Sequence, residues 1–158
     1  MEPLNNPIEV GMRTLVLLSA SFPRPLDVPQ IAHLDDAMLH SGDMGGPPSL
    51  HPTLPAGPGE LAMKRRLIKQ GLIVLLRADL AEVEATEQGL VYHASEEGGA
   101  FVDLLETPYV VTLRNRATWI VTAHDAARPN VREATRAITD RWAHAFNSPL
   151  TDPGTNHE

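Results

Sequence analysis

The stretch Ala81-Glu82-Val83-Glu84-Ala85-Thr86-Glu87-Gln88-Gly89-Leu90-Val91-Tyr92-His93-Ala94 decides the fold, because helical spacing stops here. From Ala81 to Thr86, small or apolar residues alternate with charged ones, the period-two pattern of a strand with two unlike faces. Glu87-Gln88-Gly89 breaks the pattern, and extended character resumes over Leu90 to Ala94. Two such runs around a glycine-containing break predict a β-hairpin.

What precedes the hairpin is helical. Asn6-Pro7-Ile8-Glu9 supplies an N-cap asparagine, a proline at the first helical position and a glutamate three residues after the cap. Ile8, Met12, Leu15, Val16 and Leu18 follow at helical spacing, and Pro23 with Pro25 ends the run. Asp27-Val28-Pro29-Gln30 repeats the arrangement, with Val28, Ile31, Leu34 and Met38 on one face and Gly42 as the expected terminator. A third helix is predicted from Glu60 to about Ala78. Leu61, Leu67, Ile68, Leu72, Ile73, Leu75 and Leu76 suggest that it is largely buried, with Gly71 a weak point.

Three helices followed by a hairpin is the order of a winged helix-turn-helix. The predicted fold class is therefore mostly α with a small β-hairpin: a winged helix-turn-helix core over residues 1–106, with C-terminal helices added. In the extension, 107–147, Thr107-Pro108 opens a helix with Val110, Leu113, Ala117, Ile120 and Val121 along one side. A last helix, Asn130 to Phe146, carries Ile138, Trp142 and Phe146, and 148–158 reads as a flexible tail. No internal repeat is present.

Composition narrows the function. The 158 residues are 42% hydrophobic, enough for one globular domain with a core of aliphatic side chains. With no cysteine, disulfides and thiolate chemistry are excluded. No signal peptide or membrane-length apolar run is visible, so a soluble cytoplasmic protein is expected. The formal net charge of -7 opposes indiscriminate nucleic-acid binding. The charge is also segregated: Asp79 to Glu106 holds eight acidic residues and no Lys or Arg, while basic residues lie on either side.

His40-Ser41-Gly42-Asp43 and Ser49-Leu50-His51 flank a loop with five prolines and five glycines between Gly42 and Gly59. His40, Asp43 and His51 include zinc-binding types, and His40, Ser41 and Asp43 the types of a hydrolytic triad. The spacing suits neither: there is no His pair at i and i+4 as in H-E-x-x-H, and no G-x-S-x-G elbow. A small metal-dependent hydrolase using His40, Asp43 and His51 is thus a rival reading. The favoured one is an ordered loop, structural or presented to a partner, with no catalytic residue, metal or cofactor. Leu50 and Leu54 are expected to anchor it on the core.

"NPIEVGMRTLVLL", "LDDAMLHSGD", "GPPSLHPTLP" and "KRRLIKQGL", in this order, resemble the middle component of bacterial ABC-three-component systems. The similar region runs from about Asn6 to Val121, and the chain past Pro129 lies outside it. The resemblance implies a winged-helix adaptor encoded between an SMC-like or Rad50-like ABC ATPase and an effector. Such systems, Lamassu-type defence among them, act against phages and plasmids. It brings no established catalytic residues.

Partner contacts are expected at the acidic hairpin (Glu82, Glu84, Glu87), facing a basic surface of the ATPase or effector. The loop residues His40, Asp43 and His51 are further candidates. Trp142 and Phe146 are candidates on the last helix, which would dock on another chain or on a second copy, so a homodimer is an open expectation. Arg65, Arg66, Lys69 and Arg77 fall within about 120° on the third helix and are candidates for nucleic-acid contact. The acidic hairpin opposes that contact, so DNA is expected to be met only through the complex. A stand-alone winged-helix transcription regulator is the alternative.

Overall fold

The computed structural model describes residues 6–50 and 58–126. Five helices and one two-stranded antiparallel hairpin follow in the order α1 (Pro7–Ser21), α2 (Val28–Leu39), α3 (Pro58–Arg77), β1 (Ala81–Thr86), β2 (Gly89–Ala94), α4 (Glu96–Leu104) and α5 (Pro108–Ala126).

α1 starts where its cap predicts. The Asn6 side chain accepts hydrogen bonds from the Ile8 and Glu9 amides at 3.0 and 2.9 Å, satisfying two donors that the first turn leaves open. The helix is apolar on nearly every side and packs against all four other helices and β2. It is the centre of the fold rather than one supporting wall. Val10, Leu15, Val16, Leu17 and Leu18 are each no more than 2% exposed. Ile8, expected inside, is 73% exposed. Gly11, not Ile8, marks the face turned to α3. A Cβ on Gly71 would stand 2.8 Å from the Gly11 Cα, so the two backbones cross at van der Waals distance. Gly71 is therefore the seam between α1 and α3 and not a weak point of α3.

α2 has the reciprocal capping box that its sequence predicts. The Gln30 amide donates to Asp27 Oδ1 at 2.8 Å, and the Asp27 amide donates to Gln30 Oε1 at 2.9 Å. Ile31, Leu34 and Met38 are buried. Gly42 is not the terminator. The chain tightens into a 3-10 turn over Ser41–Met44, and the left-handed residue is Gly45, at φ 75°. The sharp reversal comes only after that extra turn, which is why the second glycine takes it.

α3 is less buried than its leucines suggest. Ile68, Leu72 and Leu75 face the core, whereas Met63, Ile73 and Val74 are 53, 47 and 44% exposed. Asp79, at φ 59°, turns the chain from α3 into β1. The hairpin register pairs Ala81 with Ala94, Glu82 with His93, Val83 with Tyr92 and Glu84 with Val91. Leu26, just ahead of α2, bridges the outer side of β2: its amide and the Tyr92 amide each donate to the other's carbonyl at 2.8 Å.

Ser95 locks the hairpin to the end of α3. Its hydroxyl donates to the Asp79 carbonyl at 2.6 Å and accepts from the Gly98 amide at 3.0 Å, capping α4. Gly98 lies against the Leu80 carbonyl where no side chain fits. α5 then lays Val110, Leu113, Ala117, Ile120 and Val121, the five residues its spacing selects, onto the core beside α1 and α2.

Candidate functional site

β1 and β2 are anchored at one end only. Ala81, Tyr92 and Ala94 are buried at the base, and every residue from Glu82 to Leu90 is exposed. Alternation then sorts the projecting part into two faces. Glu82 and Glu84 share one with His93 and Val91; Val83, Ala85 and Leu90 share the other. His93 Nδ1 is 3.7 Å from Glu82 Oε1, and the Phe22 ring meets the His93 ring edge-on at 6.3 Å. Glu87 sits in the turn, where the Thr86 hydroxyl donates to the Gly89 carbonyl at 2.8 Å and Gly89 takes φ 115°. The three sequence-predicted acidic residues are thus together on a projecting element. Among the described residues, Glu84 and Glu87 make no ion pair.

α3 presents a second surface. Arg66, Lys69 and Arg77 are exposed, with Gln70, Met63, Ile73 and Val74 between and beside them. None of these three cations is in an ion pair among the described residues. Arg65 does not belong with them. It is half-buried, and its Nε lies inside the protein.

Beneath α3 lies a charge network that sequence reasoning missed. Asp35, 1% exposed, accepts from Arg13 Nε on Oδ1 at 2.9 Å and from Arg13 Nη2 on Oδ2 at 3.3 Å, and Lys64 Nζ is 3.1 Å from the same Oδ2. Burial pushes the Asp35 carboxyl upward, but Lys64 and Arg13 outweigh it and hold it below the usual carboxylate range. Burial lowers Arg13, and Asp35 more than restores it. The network joins α1, α2 and α3 through charge. A signal was present: Asp35 stands one turn from both Ile31 and Leu39 on a buried face, and Arg13 lies inside the apolar run Val10 to Leu18. Charged residues in such places are found paired.

With these surfaces described, the chain can be compared with known proteins. The family model of the ABC-three component (ABC-3C) system Middle Component 2 matches residues 3–145. The chain belongs to this family. No curated protein and no solved structure matches it. As a middle component it is one part of a multi-component ABC system, and the match reaches well beyond Val121, where the recognised pieces of sequence ended.

The glycine- and proline-rich loop of this middle component is an architectural piece as far as Leu50. The Ser41 hydroxyl, fully buried, donates to the Pro47 carbonyl at 2.8 Å, and Ser49 Oγ accepts from the Gly42 amide at 2.9 Å. Leu50 closes back on the end of α2 through its amide, 2.9 Å from the Leu39 carbonyl. Arg116 Nε donates to the Pro48 carbonyl at 3.1 Å, and the Trp119 ring lies on Gly46. His40 turns back to Asp36, with Nδ1 3.1 Å from its carbonyl. Ser41 and His40 therefore engage different neighbours and form no nucleophile–base pair. No cluster of three or more metal-binding side chains exists among the described residues. His51 and Leu54, and Trp142 and Phe146 with their helix, lie outside the described residues. None of the described helices is long and apolar enough to cross a membrane.

Proposed function

We propose that this middle component is a non-enzymatic, cytoplasmic adaptor that holds an SMC-like or Rad50-like ABC ATPase and an effector together in a defence complex of the Lamassu type, acting against phages or plasmids. The observation that carries it is the family match over residues 3–145 on a small helical body with a projecting hairpin. The winged-helix character of the core is part of the proposal. It is supported by the order α1, the Leu26 bridge, α2, α3 and hairpin, with the bridge pairing one residue of the α1–α2 connection to the outer side of β2.

In this mechanism the acidic hairpin inserts against a basic surface of another chain of the assembly. Motion of the ATPase, driven by nucleotide or DNA, then changes how firmly the effector is held. Such coupling requires the two ATPase states to bind the adaptor with different free energies. Co-expression of the chain with the products of its neighbouring genes, followed by intact-mass measurement, tests the proposal. An assembly containing this chain, an ATPase and a third subunit supports it. A chain recovered alone, beside genes that encode no ATPase, contradicts it.

One observation favours a second reading, a stand-alone DNA-binding regulator: Arg66, Lys69 and Arg77 are exposed on one side of α3 and enter no ion pair among the described residues. It predicts a mobility shift of promoter DNA at low salt, with a salt slope that drops by about one for each cation removed. Absence of a shift at low salt discards it.

A further inference from the structure

We propose that the exposed face of α3 is the seat for the acidic hairpin of a second copy of this chain, forming a twofold dimer in which each copy gives its hairpin and receives the other's. The inference rests on the hairpin being a docking element and names the basic surface that it meets.

The two surfaces are opposite in charge, and each element also exposes apolar side chains. On α3, Arg66, Lys69 and Arg77 carry positive charge, and Met63, Ile73 and Val74 leave between 44 and 53% of their area in water. On the hairpin, Glu82, Glu84 and Glu87 are exposed, with Val83 and Leu90 45 and 54% exposed. The α3 surface thus mixes apolar side chains with positive charge, while the hairpin carries Glu82 and Glu84 on one face and Val83 and Leu90 on the other, and the signs of charge are opposite. Among the described residues, Arg66, Lys69, Arg77, Glu84 and Glu87 enter no ion pair, and none joins α3 to the hairpin. Among the described residues, Glu82 is paired with His93 alone, at 3.7 Å, and that histidine is charged only when protonated.

Connectivity argues for a second copy as the occupant. The hairpin follows α3 after three residues, Ala78 to Leu80, and is fixed to that turn through Ser95 and Asp79. The hairpin is held by its own base and is not free to fold back along its own α3. Two complementary patches side by side on one molecule are satisfied together when a twofold axis passes between them, and such a contact closes at two copies. The same patches used head-to-tail would leave one of each open at the ends.

The test uses the purified full chain alone, so it does not depend on capture of an ATPase or effector. Sedimentation at tens of micromolar protein in low salt is expected to give twice the chain mass of 17.2 kDa. Glu82→Lys with Glu84→Lys, and separately Arg66→Glu with Lys69→Glu, should each raise the dimer dissociation constant about tenfold or more. Mixing the two charge-reversed chains should restore a dimer, because both reciprocal contacts then join opposite charges again: basic hairpin on acidic α3, and acidic hairpin on basic α3. Circular dichroism establishes that each variant is folded, and Glu82→Gln with Glu84→Gln provides a milder second variant, expected to weaken the dimer in the same direction. A monomeric wild type overturns the inference, as do variants that still dimerise or a mixture that stays monomeric. A monomer that nevertheless captures its ATPase and effector overturns it alone and leaves the adaptor proposal standing.

Discussion

At the scale of single residues, the unusual commitment of this fold is Asp35. Replacing it with Asn removes the buried carboxylate that the Arg13 guanidinium, 2% exposed, is bonded to, and breaking one side of a buried pair costs about 3–5 kcal/mol. We expect Asp35→Asn to lower the unfolding free energy measured in urea by that amount, while Lys64→Met, at a partly exposed site, costs less. The pH dependence has a definite sign. Asp35 is held below its ordinary 3.8, so its stabilisation is complete above that pH and is lost as pH falls through the lower folded-state value. Burial holds His33 below 6.5, with Asp36 partly opposing; protonation therefore disfavours the fold, and stability declines as pH drops below that value. Urea midpoints against pH should show an upper step removed by His33→Gln and a lower one removed by Asp35→Asn. The Asn6 and Asp27 caps were legible because a cap lies within three residues of what it serves. The Arg13–Asp35 pair was not, since its partners are 22 residues apart and only the crossing of two helices brings them together.

At the scale of elements, the seam between α1 and α3 gives a prediction with a decisive sign. In an exposed helix Gly→Ala is stabilising by up to about 1 kcal/mol. Gly71→Ala should instead destabilise, by about 1–3 kcal/mol, because the new Cβ meets the Gly11 backbone at 2.8 Å and backbone cannot step aside. A rise in the thermal midpoint would place the helices further apart than described. The hairpin was legible, since period-two alternation and a turn glycine have no helical counterpart, and the five inward residues of α5 followed from spacing alone. How far α3 is buried was not legible. Ile73 and Val74 have the composition of core residues, and the apolar pattern does not say how many neighbours arrive to cover them. The same exposure makes the hairpin and α3 the elements to perturb: Glu82→Lys with Glu84→Lys should reduce recovery of partner subunits in a pull-down without lowering thermal stability. Unchanged recovery would remove the hairpin from the interface.

At the scale of the whole molecule, as far as its residues are described, one helix buried on nearly all sides, four helices and a hairpin base packed around it, and Ser41–Leu50 pinned to α2 and α5 make a body in which many polar groups are spent on architecture. Ser41 and His40 are examples, each turned to a carbonyl oxygen rather than to each other. Among the described residues, α3 and the hairpin leave charge of opposite sign and apolar side chains in water, the kind of surface other proteins bind. The family was legible in short ordered pieces of sequence, but no residue of this chain records who its partners are, because that is written on their surfaces. The central claim, an adaptor within an ABC assembly, is tested most directly by intact-mass measurement of the chain co-expressed with its genomic neighbours. The account predicts one stable particle containing this subunit, an ABC ATPase and an effector; recovery of the subunit free of any ATPase would contradict it.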